Sequence, residues 1–140
     1  MECMRLSFEE LILNKDLSNL LYSTKDDRYT EQDCIESIKH SQIYLTLTGE
    51  TVIGFYTIDP LENSVEAHAY ILPSQRKHSL SVLRHIINTY PNIETSVYGT
   101  HVHVLKFLLK KNFVVKETLE DALVKDKESH AVWVLSLRRL

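Results

Sequence analysis

VEAHAYILPSQRKHSLSVLRHII, running from Val65 to Ile87, decides the reading of this chain. Val65 to Leu72 alternates in the way of a strand, with Glu66, His68 and Tyr70 on one face and Val65, Ala67, Ala69 and Ile71 on the other. Pro73 ends it. A short loop follows, with Arg76, Ser79 and Ser81 spaced R-x-x-S-x-S. An amphipathic helix then runs from Leu80 to Tyr90, with Leu80, Leu83, Ile86 and Ile87 inward. A strand that delivers an arginine and small residues to a helix start builds an anion site. The first helical turn has unpaired N–H groups and a partial positive charge. The stretch therefore points to a ligand bearing pyrophosphate.

Outward from it, periodicity and turn signals predict the other elements. Met4 to Phe8 reads as a strand, Leu11 to Leu21 as a helix, and Thr30 as the N-cap of a second helix with Asp33 as its acidic partner and Ile35 and Ile38 inward. Ile43 to Thr57 reads as a hairpin about Gly49-Glu50, which suits a type II′ turn. Asp59 to Asn63 is the next turn. Ile93 to Tyr98 is a strand, His101 or Val102 to Lys111 a helix, and strands over Phe113 to Thr118 and Ala131 to Leu137 close the sheet. The order is β-α-α-β-β-β-α-β-α-β-β. The crossover from Val65 to Tyr98 should be parallel and the other pairings mostly antiparallel. The fold class is α/β: a central mixed sheet of about six or seven strands with about four helices on its two faces.

Bulk properties exclude several classes. The chain has 140 residues, enough for one domain with its own core, here residues 1–140. Its net charge is −3, so no global basic field invites nucleic acid. No apolar run approaches the roughly 20 residues of a membrane span, and the N-terminus has no apolar signal core. Cys3 and Cys34 are isolated thiols that suit a reducing cytoplasm. The seven histidines fit no zinc spacing, so the residues imply no metal.

The order and spacings resemble the GNAT superfamily of acyl-CoA-dependent N-acyltransferases over nearly the whole chain. ILPSQRKHSLSVL is similar to the family's coenzyme A loop, R/Q-x-x-G-x-G/A, with Arg76 at its first position and Ser79 and Ser81 at its glycines. THVHVLKFLLKKNF is similar to the late segment N-x-x-A-x-x-x-Y-x-x-x-G-F. There His101 falls on Asn, Val104 on Ala, Leu108 on Tyr, Asn112 on Gly and Phe113 on Phe. The departures carry weight. Serine is less free in φ than glycine, although its hydroxyl can meet a phosphate or cap a helix. The family tyrosine protonates the leaving thiolate, and leucine cannot. The serine version also resembles small GNAT-like proteins encoded among the head and virion genes of tailed phages.

The resemblance implies acetyl-CoA or another acyl-CoA as co-substrate. It implies transfer of the acyl group to a primary amine by direct attack in a ternary complex. Glu66 stands where relatives place a base, and His68 is the second candidate, imidazole being the side chain most often used for proton transfer. The N–H of Ile71 would polarise the thioester carbonyl. Arg76, with the N–H groups of Lys77, His78, Ser79, Leu80 and Ser81, would hold the pyrophosphate, and His101 would sit beside it. Taken singly, Glu66, His68 and Tyr70 also fit the polar side of a half-exposed strand. Tyr98 stands where it can line the pantetheine slot or simply pack. The acceptor pocket would lie between Tyr22–Tyr29 and Glu120–Ser129, where Asp26 and Asp27 could draw a cationic amine. The loss of both glycines and of the tyrosine supports a second expectation: a non-catalytic binding or assembly protein on this scaffold, with a virion or host protein as partner. A homodimer and a cytoplasmic site, that of the host if phage-encoded, complete the expectations.

Overall fold

Short polar caps cut the first third of the chain into three helices. In the computed structural model, which describes residues 1–139, a strand β1 (Glu2–Leu6) precedes α1 (Phe8–Leu13), α2 (Lys15–Ser23) and α3 (Glu31–Ile38). The expected strand is thus shifted: Ser7 is an N-cap and Phe8 already helical. The Ser7 hydroxyl accepts from the Glu10 N–H, and the Glu10 carboxylate accepts from the Ser7 N–H, each at 3.1 Å. The single helix expected over Leu11–Leu21 is broken at Asn14, which ends α1 and caps α2 by accepting from the Leu17 N–H. Thr30 and Asp33 form the expected box on α3. Ile38 and Cys34 are buried there, with Ile35 only partly so.

The other elements are β2 (Gln42–Thr48), β3 (Thr51–Pro60), β4 (Val65–Ile71), a 3-10 helix (Pro73–His78), α4 (Ser79–Thr89), β5 (Ile93–Tyr98), α5 (Val102–Lys110), β6 (Val114–Lys125) and β7 (Glu128–Leu137). The seven strands form one sheet in the order β1-β2-β3-β4-β5-β7-β6. Every pairing is antiparallel except β4–β5. Gly49, at φ 61°, is the one residue of the β2–β3 turn with positive φ, as a type II′ turn requires. Asp59 and Pro60 belong to β3, so the following turn is narrower than expected. The last hairpin is longer than expected, and it turns on Asp126 and Lys127, both at positive φ. Asn112, at φ 72°, ends α5, with the Phe113 N–H bonded to the Leu108 carbonyl and the Asn112 N–H to that of Leu109.

Adjacent residues of β3 show how the sheet is covered. Phe55 packs with Leu11, Leu17, Leu21 and Ile38 of α1–α3, whereas Tyr56 packs with Val82, Ile86 and Leu108 of α4 and α5. Neighbouring residues of a strand point to opposite faces, so α1–α3 cover one face and α4–α5 the other. Each such large side chain contributes about 1.5–3 kcal/mol through burial. On α4 the buried residues are Val82, Ile86 and Ile87, whereas Leu80, expected inward, is 38% exposed in the first turn and Leu83 is only partly buried.

Two contacts tie the layers where the site lies. Gly54 faces Tyr70 and Ile71 across the β3–β4 ladder, beside a bulge in β3. A Cβ at Gly54 would stand 2.0 Å from the Tyr70 carbonyl oxygen. The second contact is a clasp between the α2–α3 loop and the last hairpin. Asp26 is only 5% exposed and accepts from the Arg28 side chain (2.7 and 2.9 Å) and from the N–H groups of Arg28 (2.8 Å) and Val124 (2.9 Å). Arg28 also donates to the Ala122 carbonyl, and Asp27 accepts from the Lys127 N–H.

Gly54→Ala should destabilise the fold by about 3 kcal/mol, because the clash is with backbone that cannot rotate away; urea unfolding reads this. The hydrogen bonds from Arg28 hold the Asp26 carboxyl well below the ordinary carboxylate range. A depressed folded-state value stabilises above the unfolded value of about 4, and that stabilisation is lost as pH falls through the folded value. Asp26→Asn should therefore melt below wild type at neutral pH, with the gap closing only in strong acid. A gap independent of pH would show that the charge is not what holds the clasp.

Candidate active site

Strands β4 and β5 run side by side for only two residue pairs, Val65–Ile93 and Glu66–Glu94. Beyond them the Thr95 hydroxyl donates to the Ala67 carbonyl at 2.6 Å, and the strands part. The open stretch of β4 stays bonded to β3: the Leu72 N–H donates to the Ile53 carbonyl at 2.9 Å. N–H groups alternate in direction along a strand. The Val65 N–H points toward the β5 side, where it meets the Asn92 carbonyl. Ile71, in the same phase, therefore directs its N–H into the split, where β5 has no ladder partner for it.

The split opens on the α1–α3 face into a cavity of about 460 Å³. Tyr70 of β4 and Tyr98 of β5 form its floor. Leu21 and Thr24 of α2, Cys34 of α3, and Leu123 and Val132 of the last hairpin form its walls. This joins the two segments expected to build an acceptor pocket. Asp26 and Asp27, expected to attract a cation, are engaged in the clasp instead. Tyr70 stacks on Phe55, with ring centroids 4.5 Å apart. Burial raises the pKa of both Tyr70 and Tyr98, so both phenols stay protonated well past neutrality.

The other end of the split is basic. Arg76, Lys77 and His78 stand in consecutive positions of the 3-10 helix that follows β4. His101, the N-cap residue of α5, stands beside His103, with ring centroids 6.1 Å apart. Desolvation lowers the His101 pKa, and the charges of His103 and Arg76 lower it further, so Arg76 and His101 share one field across the split. The expected loop is a 3-10 helix continuous with α4. Both the N–H and the hydroxyl of Ser79 turn back onto the Arg76 carbonyl. Ser79 thus tightens the turn in this conformation, while the exposed Leu80 and Ser81 continue the first turn of α4.

Glu66 and His68 form a pair, with Nε2 of His68 3.0 Å from Oε1 of Glu66. That hydrogen bond holds the Glu66 carboxyl below its ordinary pKa. The pair lies on the cavity face of β4, toward the end where β4 still meets β5, and outside the cavity wall itself. The Tyr70–Tyr98 floor was legible only in part. Alternation placed Tyr70 on this face, but its neighbour across the split comes from another strand. Cys34, which reads as an ordinary core thiol, lies in the wall. Among the described residues, no group of His, Cys, Asp and Glu is gathered to hold a metal ion, and no helix is long and apolar enough to cross a membrane.

No protein-family model and no curated protein matches this sequence. Solved structures do match. An IAA acetyltransferase from Bacillus cereus is 18% identical, covers 99% of both chains, and superposes with a TM-score of 0.73. A variant of the spermidine N-acetyltransferase SpeG from Vibrio cholerae is 11% identical over 99% of this chain and 95% of its own, with a TM-score of 0.74. YncA of Salmonella typhimurium, assigned as an acetyltransferase and solved with its cofactor acetyl-CoA, is 12% identical over 99% and 93%, with a TM-score of 0.69. Coverage is end to end while identity is low, so what is shared is backbone architecture: this chain has the fold of these acetyltransferases.

Proposed function

We propose that this protein transfers an acyl group from acetyl-CoA, or a related acyl-CoA, to a primary amine. The observation that carries the reading is the split itself. It is an opening between two strands with an unpartnered N–H inside it, a basic rim at one end and a cavity at the other. A long thioester with a pyrophosphate at one end fits that polarity. Arg76, Lys77 and His78 with Ser81 and His101 meet the phosphates, with Ser79 shaping the turn. The Ile71 N–H donates to the thioester carbonyl oxygen, where negative charge grows during attack. The amine enters from the cavity. Glu66, ionised and bonded to His68, takes the amine proton directly or through water. No covalent enzyme intermediate is required.

A second reading rests on the outer edge strand. Val114, Val115 and Leu119 of β6 are exposed there, 63%, 37% and 38%, respectively. They suit a binding or assembly protein that keeps the scaffold without the reaction, with a virion or host protein as the partner.

Calorimetry with acetyl-CoA separates the readings. Micromolar binding that is lost in Arg76→Ala and in Ser79→Tyr is the expected result. Absence of binding at millimolar acetyl-CoA, by protein shown to be folded, would favour the second reading. For the chemistry, Glu66→Gln should fold and bind acetyl-CoA normally but lower turnover about 10²-fold, the usual scale of general base catalysis. Unchanged turnover would remove Glu66 from the mechanism.

A further inference from the structure

When the thioester carbon–sulfur bond breaks, the electron pair goes to sulfur, and the new thiolate needs a proton or a strong donor. In α5 the family's position for that donor is occupied by Leu108. Leu108 is 4% exposed and packs into the core on the α4–α5 face. A thiolate can leave without help, but general acid assistance is worth about 10²–10⁴-fold, and a protein donor would have to come from elsewhere in the split.

The reacting atoms must lie where the basic rim and the acceptor cavity meet. Tyr98 is the residue that belongs to both. It lines the cavity, and its ring lies 6.4 Å from that of His101, which shares the field of Arg76. It also stands on β5 beyond the last pairing with β4, opposite the open stretch that carries the Ile71 N–H. Several other polar groups of the wall are engaged, whereas Lys25 and Tyr29 stand on the α2–α3 loop and not on the strands of the split. The Thr24 hydroxyl donates to the Leu21 carbonyl, the Ser37 hydroxyl to that of Cys34, and the Asp33 carboxylate caps α3. The Tyr98 hydroxyl makes no hydrogen bond among the described residues. Tyr70 is likewise unpaired, but its ring is stacked on Phe55 of β3 rather than set beside a residue of the basic rim.

We infer that Tyr98 is the proton donor to the departing thiolate, taking over a role that Leu108 cannot perform. The inference rests on the acyl-transfer reading above. In the step, the amine nitrogen bonds to the carbonyl carbon and the carbon–sulfur bond breaks with its pair going to sulfur. The Tyr98 hydroxyl proton passes to sulfur, and the phenolate regains a proton from solvent. The proton lost by the amine goes to Glu66, so the products are an amide and free coenzyme A.

The test measures thiol release from acetyl-CoA, with water and with a panel of polyamines, amino acids and arylalkylamines as acceptors. Tyr98→Phe should lower kcat about 10²-fold and leave the calorimetric Kd for acetyl-CoA within twofold of wild type. Replacing Tyr98 by 3,5-difluorotyrosine, a more acidic phenol, should restore turnover and move the alkaline limb of the kcat profile to lower pH. A packing role would not move that limb. Wild-type turnover matched by Tyr98→Phe, or an alkaline limb indifferent to fluorination, would overturn the assignment and leave acyl transfer standing. Wild-type protein that binds acetyl-CoA but releases no thiol with any acceptor would overturn both.

Discussion

The short parallel ladder between β4 and β5 is the constraint on which the rest of the molecule turns. Two residue pairs hold the strands together at one end. Past them, β4 follows β3, drawn close at Gly54, while β5 follows β7 along its whole length, from Ile93–Leu137 to Tyr98–Val132. Each strand keeps its antiparallel partner and gives up the other. A sheet interior is thereby opened without stranding a helix or breaking the core. The backbone groups left in the gap need partners, and the Ile71 N–H is placed there.

The helices divide the labour across this gap. Helices α4 and α5 cover one face with a continuous apolar cluster and bring their N-terminal ends to the basic rim. Helices α1–α3 cover the other face less completely and leave the cavity between α2, α3 and the last hairpin. The cavity wall is held by the Asp26–Arg28 clasp, which joins residues about a hundred positions apart in the chain. Charge that looks in sequence like a lure for a cationic substrate is instead an internal strut. The cavity keeps the phenols of Tyr70 and Tyr98 and apolar walls, with Lys25 and Asp33 at its lining.

Much of this was legible in the residues. The alternation of Val65–Ile71, the capping box of Thr30 and Asp33, the Gly49 turn and the Ile93–Tyr98 strand follow from local rules, and the structure shows each of them. The errors lie where two local signals compete. At Asn14 a capping residue interrupts a leucine spacing that continues on both sides, and the cap prevails. After Pro73 the R-x-x-S-x-S run reads as a loop, yet Ser79 can satisfy the Arg76 carbonyl twice, and the segment winds into a 3-10 helix. In β6 the strand continues past its apolar start because β7 is long enough to pair with it, although bulges interrupt the register.

By itself the sequence determined the element types, the mixed sheet and the two segments that resemble a coenzyme A site, because strand alternation, helix periodicity and caps are short-range. The tertiary structure alone decided what those segments do together. Whether β4 and β5 pair or part, whether Asp26 faces a ligand or Arg28 and Val124, and whether Tyr98 stands between a basic rim and a cavity all depend on contacts across many tens of residues. Such contacts are set by which partner satisfies each backbone group and each buried charge, and no local pattern records that competition.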